Sequence, residues 1–260
     1  MNKLEKLKKL LEKNYNFRGN NYEYTPQTKE ELETIVNDLI KKYGNKVDLN
    51  IIDVSNIDDF SELFYQNTKF NGDVSNWDIS NAEDLSWMFR GCYNFNSDLS
   101  KWNVSNIKNF NSMFYNCEKF NSDLSNWNVS NCKDFSFMFF ECKKFTANLS
   151  NWDVTKGLYF NCMFYECKLF NADLSKWNVS NGKYFNYMFY KCRYFNSDLS
   201  NWDVSNGETF SEMFYGCKSF DANLSRWDVS KARLWINFAK GSLLKKYPER
   251  IPEKFRGDYL

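Results

Sequence analysis

Apolar and polar positions recur along this chain with a fixed period of 25 residues. Trp77, Trp102, Trp127, Trp152, Trp177, Trp202 and Trp227 mark one column, and Ile52 holds the same place one unit earlier. Cys92, Cys117, Cys142, Cys167, Cys192 and Cys217 mark a second. Met88, Met113, Met138, Met163, Met188 and Met213, each followed by Phe, mark a third. Read from Phe120, the unit is FNSDLSNWNVSNCKDFSFMFFECKK. Trp127 and Val129 alternate with polar neighbours, which predicts a short half-buried strand. Phe135, Met138, Phe139 and Cys142 fall at i, i+3, i+4 and i+7, the pattern of one helix face about two turns long. Ser130 and Asn131 stand where side-chain oxygens would cap its free N–H groups. Each unit therefore predicts strand, turn, short helix, turn.

A lone unit cannot bury its aromatic face, so the units must stack. The predicted fold class is an α/β repeat solenoid. A parallel β-sheet forms one face, short helices form the other, and a helical cap covers the N-terminal end. The domain reading is 1–48 for that cap, 49–233 for about eight repeats, and 234–260 for a C-terminal cap and tail. In the cap, Thr28-Lys29-Glu30-Glu31 reads as a capping box. Leu32, Ile35, Val36, Leu39, Ile40 and Tyr43 form its amphipathic face, and Gly44 ends the helix. Leu4, Leu7, Leu10 and Leu11 suggest another short helix before it.

Charge narrows the function. The 34 Lys and Arg balance 33 Asp and Glu, so no global field attracts nucleic acid or an anionic membrane. Histidine is absent, which removes the commonest general base and metal ligand together. No stretch approaches the roughly 20 apolar residues of a membrane span. The N-terminus alternates Lys, Leu and Glu without the apolar core of a signal peptide, so the residues alone point to the cytoplasm.

The run Met113-Phe114-Tyr115-Asn116-Cys117-Glu118-Lys119-Phe120 resembles the Phe-x-x-Cys-x-x-Leu core of BspA-type leucine-rich repeats. The phrase Phe-Asn-x-Asp-Leu-Ser-x-Trp-x-Val-Ser-Asn is similar to the repeat of bacterial surface proteins and lipoproteins of that group. The resemblance covers residues 50 to about 233. It implies a leucine-rich-repeat-like α/β solenoid, a role in binding or adhesion, and the cell surface as the alternative location. It carries over no catalytic residues.

Several columns invite chemistry. The cysteine column could hold metal or disulfides, but it lies on the apolar stripe without histidine or a CxxC, and core packing explains it better. Cys132 and Cys162 lie outside that column and read as the more surface-near, more reactive thiols. Asp73, Asp98, Asp123, Asp173 and Asp198 share a column with Asn148 and Asn223. Calcium binding would need the charge throughout, whereas turn capping accepts both residue types. The positions where units differ are more telling. Phe137, Tyr159, Leu169, Tyr184, Tyr187 and Tyr194 replace residues that are mostly polar elsewhere, on neighbouring rungs. They are the candidate partner-binding residues, because exposed aromatics bury much area at modest entropic cost.

These observations assign no catalytic, cofactor or metal site. They point to a non-enzymatic interaction module binding a protein partner. The alternative is a surface adhesin binding host protein or glycan.

Overall fold

This computed structural model of the chain describes residues 22–259. The expected helix around residues 4–11 lies outside them. Helix α1, Lys29–Tyr43, begins where Thr28 Oγ1 accepts the Glu31 N–H, and the Glu31 carboxylate accepts the Gln27 N–H at 2.8 Å. Gly44, at φ 88°, stops it and donates to the Ile40 carbonyl. Leu32, Ile35, Val36 and Leu39 are buried in the same core as the repeats. Ile40 only rests against that core, and Tyr43 is 59% exposed, so the buried stripe is narrower than the sequence pattern suggested.

The repeats stack in parallel through isolated bridges between residues 25 apart, from Asp59↔Asp84 through Tyr159↔Tyr184 to Thr209↔Leu234. Two local expectations fail. The Trp127–Val129 segment is not a strand, and the bridge falls instead at Asp134. Residues 135–142 are not a helix either. The N–H groups of Phe135, Phe137, Phe139 and Glu141 leave the rung and donate to Tyr159, Asn161, Met163 and Tyr165 of the next, at 2.7–3.0 Å. The intervening N–H groups of Met138, Phe140 and Cys142 fold back to Phe135, Phe137 and Phe139. The result is a run of overlapping i→i+3 turns with Phe137 and Glu141 at φ 58° and 55°. A turn returns residue i+3 to the side of residue i, much as a helix does, so both geometries bury Phe135, Met138, Phe139 and Cys142.

Side chains complete the hydrogen bonding that this irregular backbone leaves open. Seven indoles, from Trp77 to Trp227, donate to the Leu or Val carbonyl 28 residues earlier, at 2.9–3.0 Å. The six column thiols donate likewise to Phe carbonyls 28 residues earlier, at 2.8–3.1 Å. Asn71, Asn96, Asn121, Asn171 and Asn196 accept the backbone N–H of the following rung. Asn131 does not cap a helix: its amide donates to the Ser105 carbonyl of the preceding rung, as Asn81, Asn106, Asn181 and Asn206 do in theirs. Asp98 and Asn148 each accept the N–H two residues on, so carboxylate and amide close the same turn. That N–H donor holds the Asp98 carboxyl below its ordinary range.

Both ends are covered. Lys29 of α1 reaches Asp59 at 3.0 Å and the Ser61 hydroxyl at 2.6 Å on the first rungs. At the far end Phe255 packs on Phe210, Trp235 and Phe238. The Lys254 ammonium donates to the carbonyls of Val229, Ser230 and Ala232, and at Ser230 it takes the place of the asparagine that a following rung supplies in the interior of the stack.

Candidate partner-binding concavity

Three neighbouring columns build one side of the stack. The first is Asp59, Asp84, Asn109, Asp134, Tyr159, Tyr184, Thr209 and Leu234, the bridge residues themselves. In its early rungs the side chain accepts an N–H two residues on, as Asp84 does from Ser86 and Asp134 from Ser136. Tyrosine cannot close that turn. Tyr159 and Tyr184 instead stack on each other, ring centroids 5.2 Å apart.

The second column runs Trp87, Ser112, Phe137, Cys162, Tyr187, Glu212, all at φ between 53° and 62°. A bulky residue there is strained in isolation. Here each left-handed residue lies within the alternation of rung-to-rung and turn hydrogen bonds, which fixes its conformation. The third column is an aromatic ladder. Tyr115, Phe140, Tyr165 and Tyr190 stack at 4.2–4.4 Å. Burial, followed by the Tyr190 and Glu166 groups, pushes the Tyr165 hydroxyl up to about 12.

Phe137, Tyr159, Tyr184 and Tyr187 meet around one open concavity of about 430 Å³, lined also by Asn161, Cys162 and Asn186. Four of the six candidate residues are thus brought together. Leu169 and Tyr194, 41% and 59% exposed, lie outside this lining, in the column that also holds Lys119 and Lys144. Cys162 and the two asparagines were not anticipated as part of the site. Asn186 is fixed by the following rung, since it donates to the Thr209 hydroxyl and accepts from the Ser211 N–H.

The structure corrects the reading of Cys132 and Cys162 as surface thiols. Cys132 is fully buried and donates to the Asp134 carbonyl. Cys162 is 8% exposed, and burial pushes its thiol up to about 12. Both are poor nucleophiles at neutral pH, since the thiolate is the reacting species. Alkylation of the native protein by iodoacetamide should therefore be slow at all eight cysteines. Mass spectrometry after a timed pulse checks this, and fast native labelling of the buried column, Cys117 to Cys192, would overturn the core assignment. Among the described residues, no group of three or more Cys, Asp and Glu is placed to hold a metal ion.

Two overlapping segments, residues 30–152 and 133–242, match a family described as "Mycoplasma protein of unknown function, DUF285". The chain belongs to this family. The matches run from α1 through all the stacked rungs, so the family signature is carried by the repeat. No curated protein matches the chain. Among solved structures, a crystal structure of a TLR13-ssRNA13 complex is similar at 8% identity and a TM-score of 0.23. That match covers 74% of this chain and 32% of the other, and at that level it assigns neither fold nor ligand. No helix among the described residues is long and apolar enough to cross a membrane.

Proposed function

We propose that the chain is a non-enzymatic, protein-binding repeat scaffold: a leucine-rich-repeat-like solenoid of the BspA-type group whose rungs are built from turns. The observation that carries this reading is the convergence of Phe137, Tyr159, Tyr184 and Tyr187 on one concavity. Elsewhere in the first two columns most of the side chains are acidic, amide or hydroxyl. Aromatic anchors grouped in a recess are the usual core of a protein interface.

The test is to change Tyr159, Tyr184 and Tyr187 to Ser together. Tyr159 is 39% exposed and stacks on Tyr184, and Tyr187 meets the Tyr165 and Tyr190 rings only at a steep angle, so the melting temperature should fall by less than about 5 °C. Selection of a displayed random-peptide library should enrich binders on the parent and lose them on the variant. A large loss of stability would assign the rings to packing. Unchanged selection by a stable variant would move the site to the polar face that carries Asn126 and Asn128. Retention of a glycan array instead of peptides would favour the adhesin reading, which Asn161 and Asn186 beside a stacked tyrosine pair also suit.

A further inference from the structure

The second column alternates large and small: Trp87, Ser112, Phe137, Cys162, Tyr187. Each small residue opens a gap between two rings that stand two rungs apart, about 10 Å. The two gaps have different fates. Ser112 is 1% exposed, so the first gap is closed. In that neighbourhood Arg90 of the preceding rung lays its guanidinium across Trp87 at 4.2 Å and Tyr115 at 3.9 Å. Its Nε is buried and without a hydrogen-bond partner, so ring faces account for that part of its environment. Arg90 stands in the ladder of Tyr115, Phe140 and Tyr165, where a guanidinium takes the place of a ring.

At the second gap a ring, not a guanidinium, takes that place. The residue equivalent to Arg90 is Phe140, and it is held in the ladder between Tyr115 and Tyr165 at 4.2 and 4.3 Å. The space over Cys162 stays open as the concavity. Its surroundings suit a cation. Asp134, one rung before Tyr159, pairs with it through the backbone and keeps its carboxylate on the Ser136 N–H. Glu212 follows Tyr187 in the column, close enough to act on the Tyr187 hydroxyl. Lys133 and Lys183 stand one residue outside the tyrosine column, and Lys183 is drawn toward Glu208 at 3.6 Å.

We propose that the gap over Cys162 receives the guanidinium of an arginine side chain from a protein partner, stacked between Phe137 and Tyr187 as Arg90 is stacked on Trp87 and Tyr115. The inference rests on the protein-binding reading above and names the chemistry of the partner. A planar cation meets the negative ring faces of the slot, and Glu212 stands near enough to Tyr187 to act on its hydroxyl.

The test is an NMR titration of the full chain with acetyl-Gly-Arg-Gly-amide and its citrulline, lysine and phenylalanine counterparts. Citrulline keeps the planar shape without the charge. The arginine peptide should bind about tenfold more tightly than the citrulline peptide. Cys162→Phe should abolish the difference by filling the gap. Phe137 and Tyr187 already hold ring side chains at φ 58° and 57°, so the backbone at Cys162, φ 57°, accepts one. Cys162→Ser should retain binding, and both variants should melt as cooperatively as the parent. Equal affinity for arginine and citrulline overturns the proposal. So does a phenylalanine peptide that binds best and loses its affinity in Cys162→Phe, although that result leaves the protein-binding reading standing. If no peptide responds to Cys162→Phe while the tyrosine variant still loses its selected binders, the guanidinium site alone fails. If neither variant changes anything, the protein-binding reading fails with it.

Discussion

Deleting residues 121–145 should leave a folded protein one rung shorter, whereas deleting 121–132 should unfold much of the stack. The whole-unit cut joins Phe120 to Thr146, and every contact across the seam finds an equivalent partner. Asn96, which now accepts from the Asn121 N–H, would meet the Thr146 N–H that Asn121 holds. The Trp152 indole would pass from the Leu124 carbonyl to that of Leu99, which Trp127 vacates. Cys167 would take over the Phe114 carbonyl from Cys142. Nearest-neighbour stacking makes stability a sum of such interfaces, so one is lost and the rest remain.

The shorter cut removes Leu124, Trp127 and Val129 but keeps Phe135 to Cys142. Turn segments that send alternate N–H groups outward would then face a stretch that relies on indole and asparagine ladders. Neither donors nor rings would meet their partners. Circular dichroism and urea denaturation distinguish the outcomes. One cooperative transition for the whole-unit deletion, with loss of cooperativity for the other, is the expected result, and equal damage from both would overturn nearest-neighbour stacking. The whole-unit deletion also removes Phe137, so it should abolish peptide selection while the fold survives. That separates the concavity from the scaffold.

The period of the repeat, the buried columns and the cap helix were legible because each repeats or follows a local chemical rule. Tryptophan spacing alone places the residues that later bridge 25 apart. The backbone between them was not legible. Phe135, Met138, Phe139 and Cys142 satisfy a helix face and a chain of turns equally well. What decides is where alternate N–H groups go, and that depends on the next rung. Asn131 was misread for the same reason, since its acceptor lies 26 residues back. In the site, Phe137, Tyr159, Tyr184 and Tyr187 were legible as departures from their columns. Cys162 was not, because its meaning comes from its neighbours. A small residue flanked by rings in the same column was the available signal, and reading down columns rather than along units would have exposed it. Gly157, Gly182 and Gly207 carry a related signal. A Cβ at Gly182 would lie 2.3 Å from the Phe185 ring, so these glycines let Phe160, Phe185 and Phe210 stack at 5.3–5.5 Å.

The Trp152→Ala variant should lose about 3–5 kcal/mol, the range for truncating a large buried aromatic. Trp152 is 3% exposed and stacks between Trp127 and Trp177 at 6.4 Å on each side, with planes within 1° of parallel. Phe135 and Phe139 also pack on it, so the cavity would open among rings held by their own ladders and could not easily collapse. Its indole N–H donates to the Leu124 carbonyl at 2.9 Å. That carbonyl also accepts the Trp127 N–H at 3.1 Å, so removing the indole weakens rather than orphans it. Trp152→Phe should therefore lose less, about 1–3 kcal/mol, combining one net hydrogen bond with a smaller ring. Urea denaturation at unchanged slope checks both values. Hydrogen exchange adds the location: protection should fall first at the Leu124 and Leu149 rungs and spread little toward α1 or Phe255. A uniform loss across all rungs would mean that the stack opens only as a whole. A Trp152→Ala loss below about 1 kcal/mol would mean that the tryptophan column does not hold the rungs together.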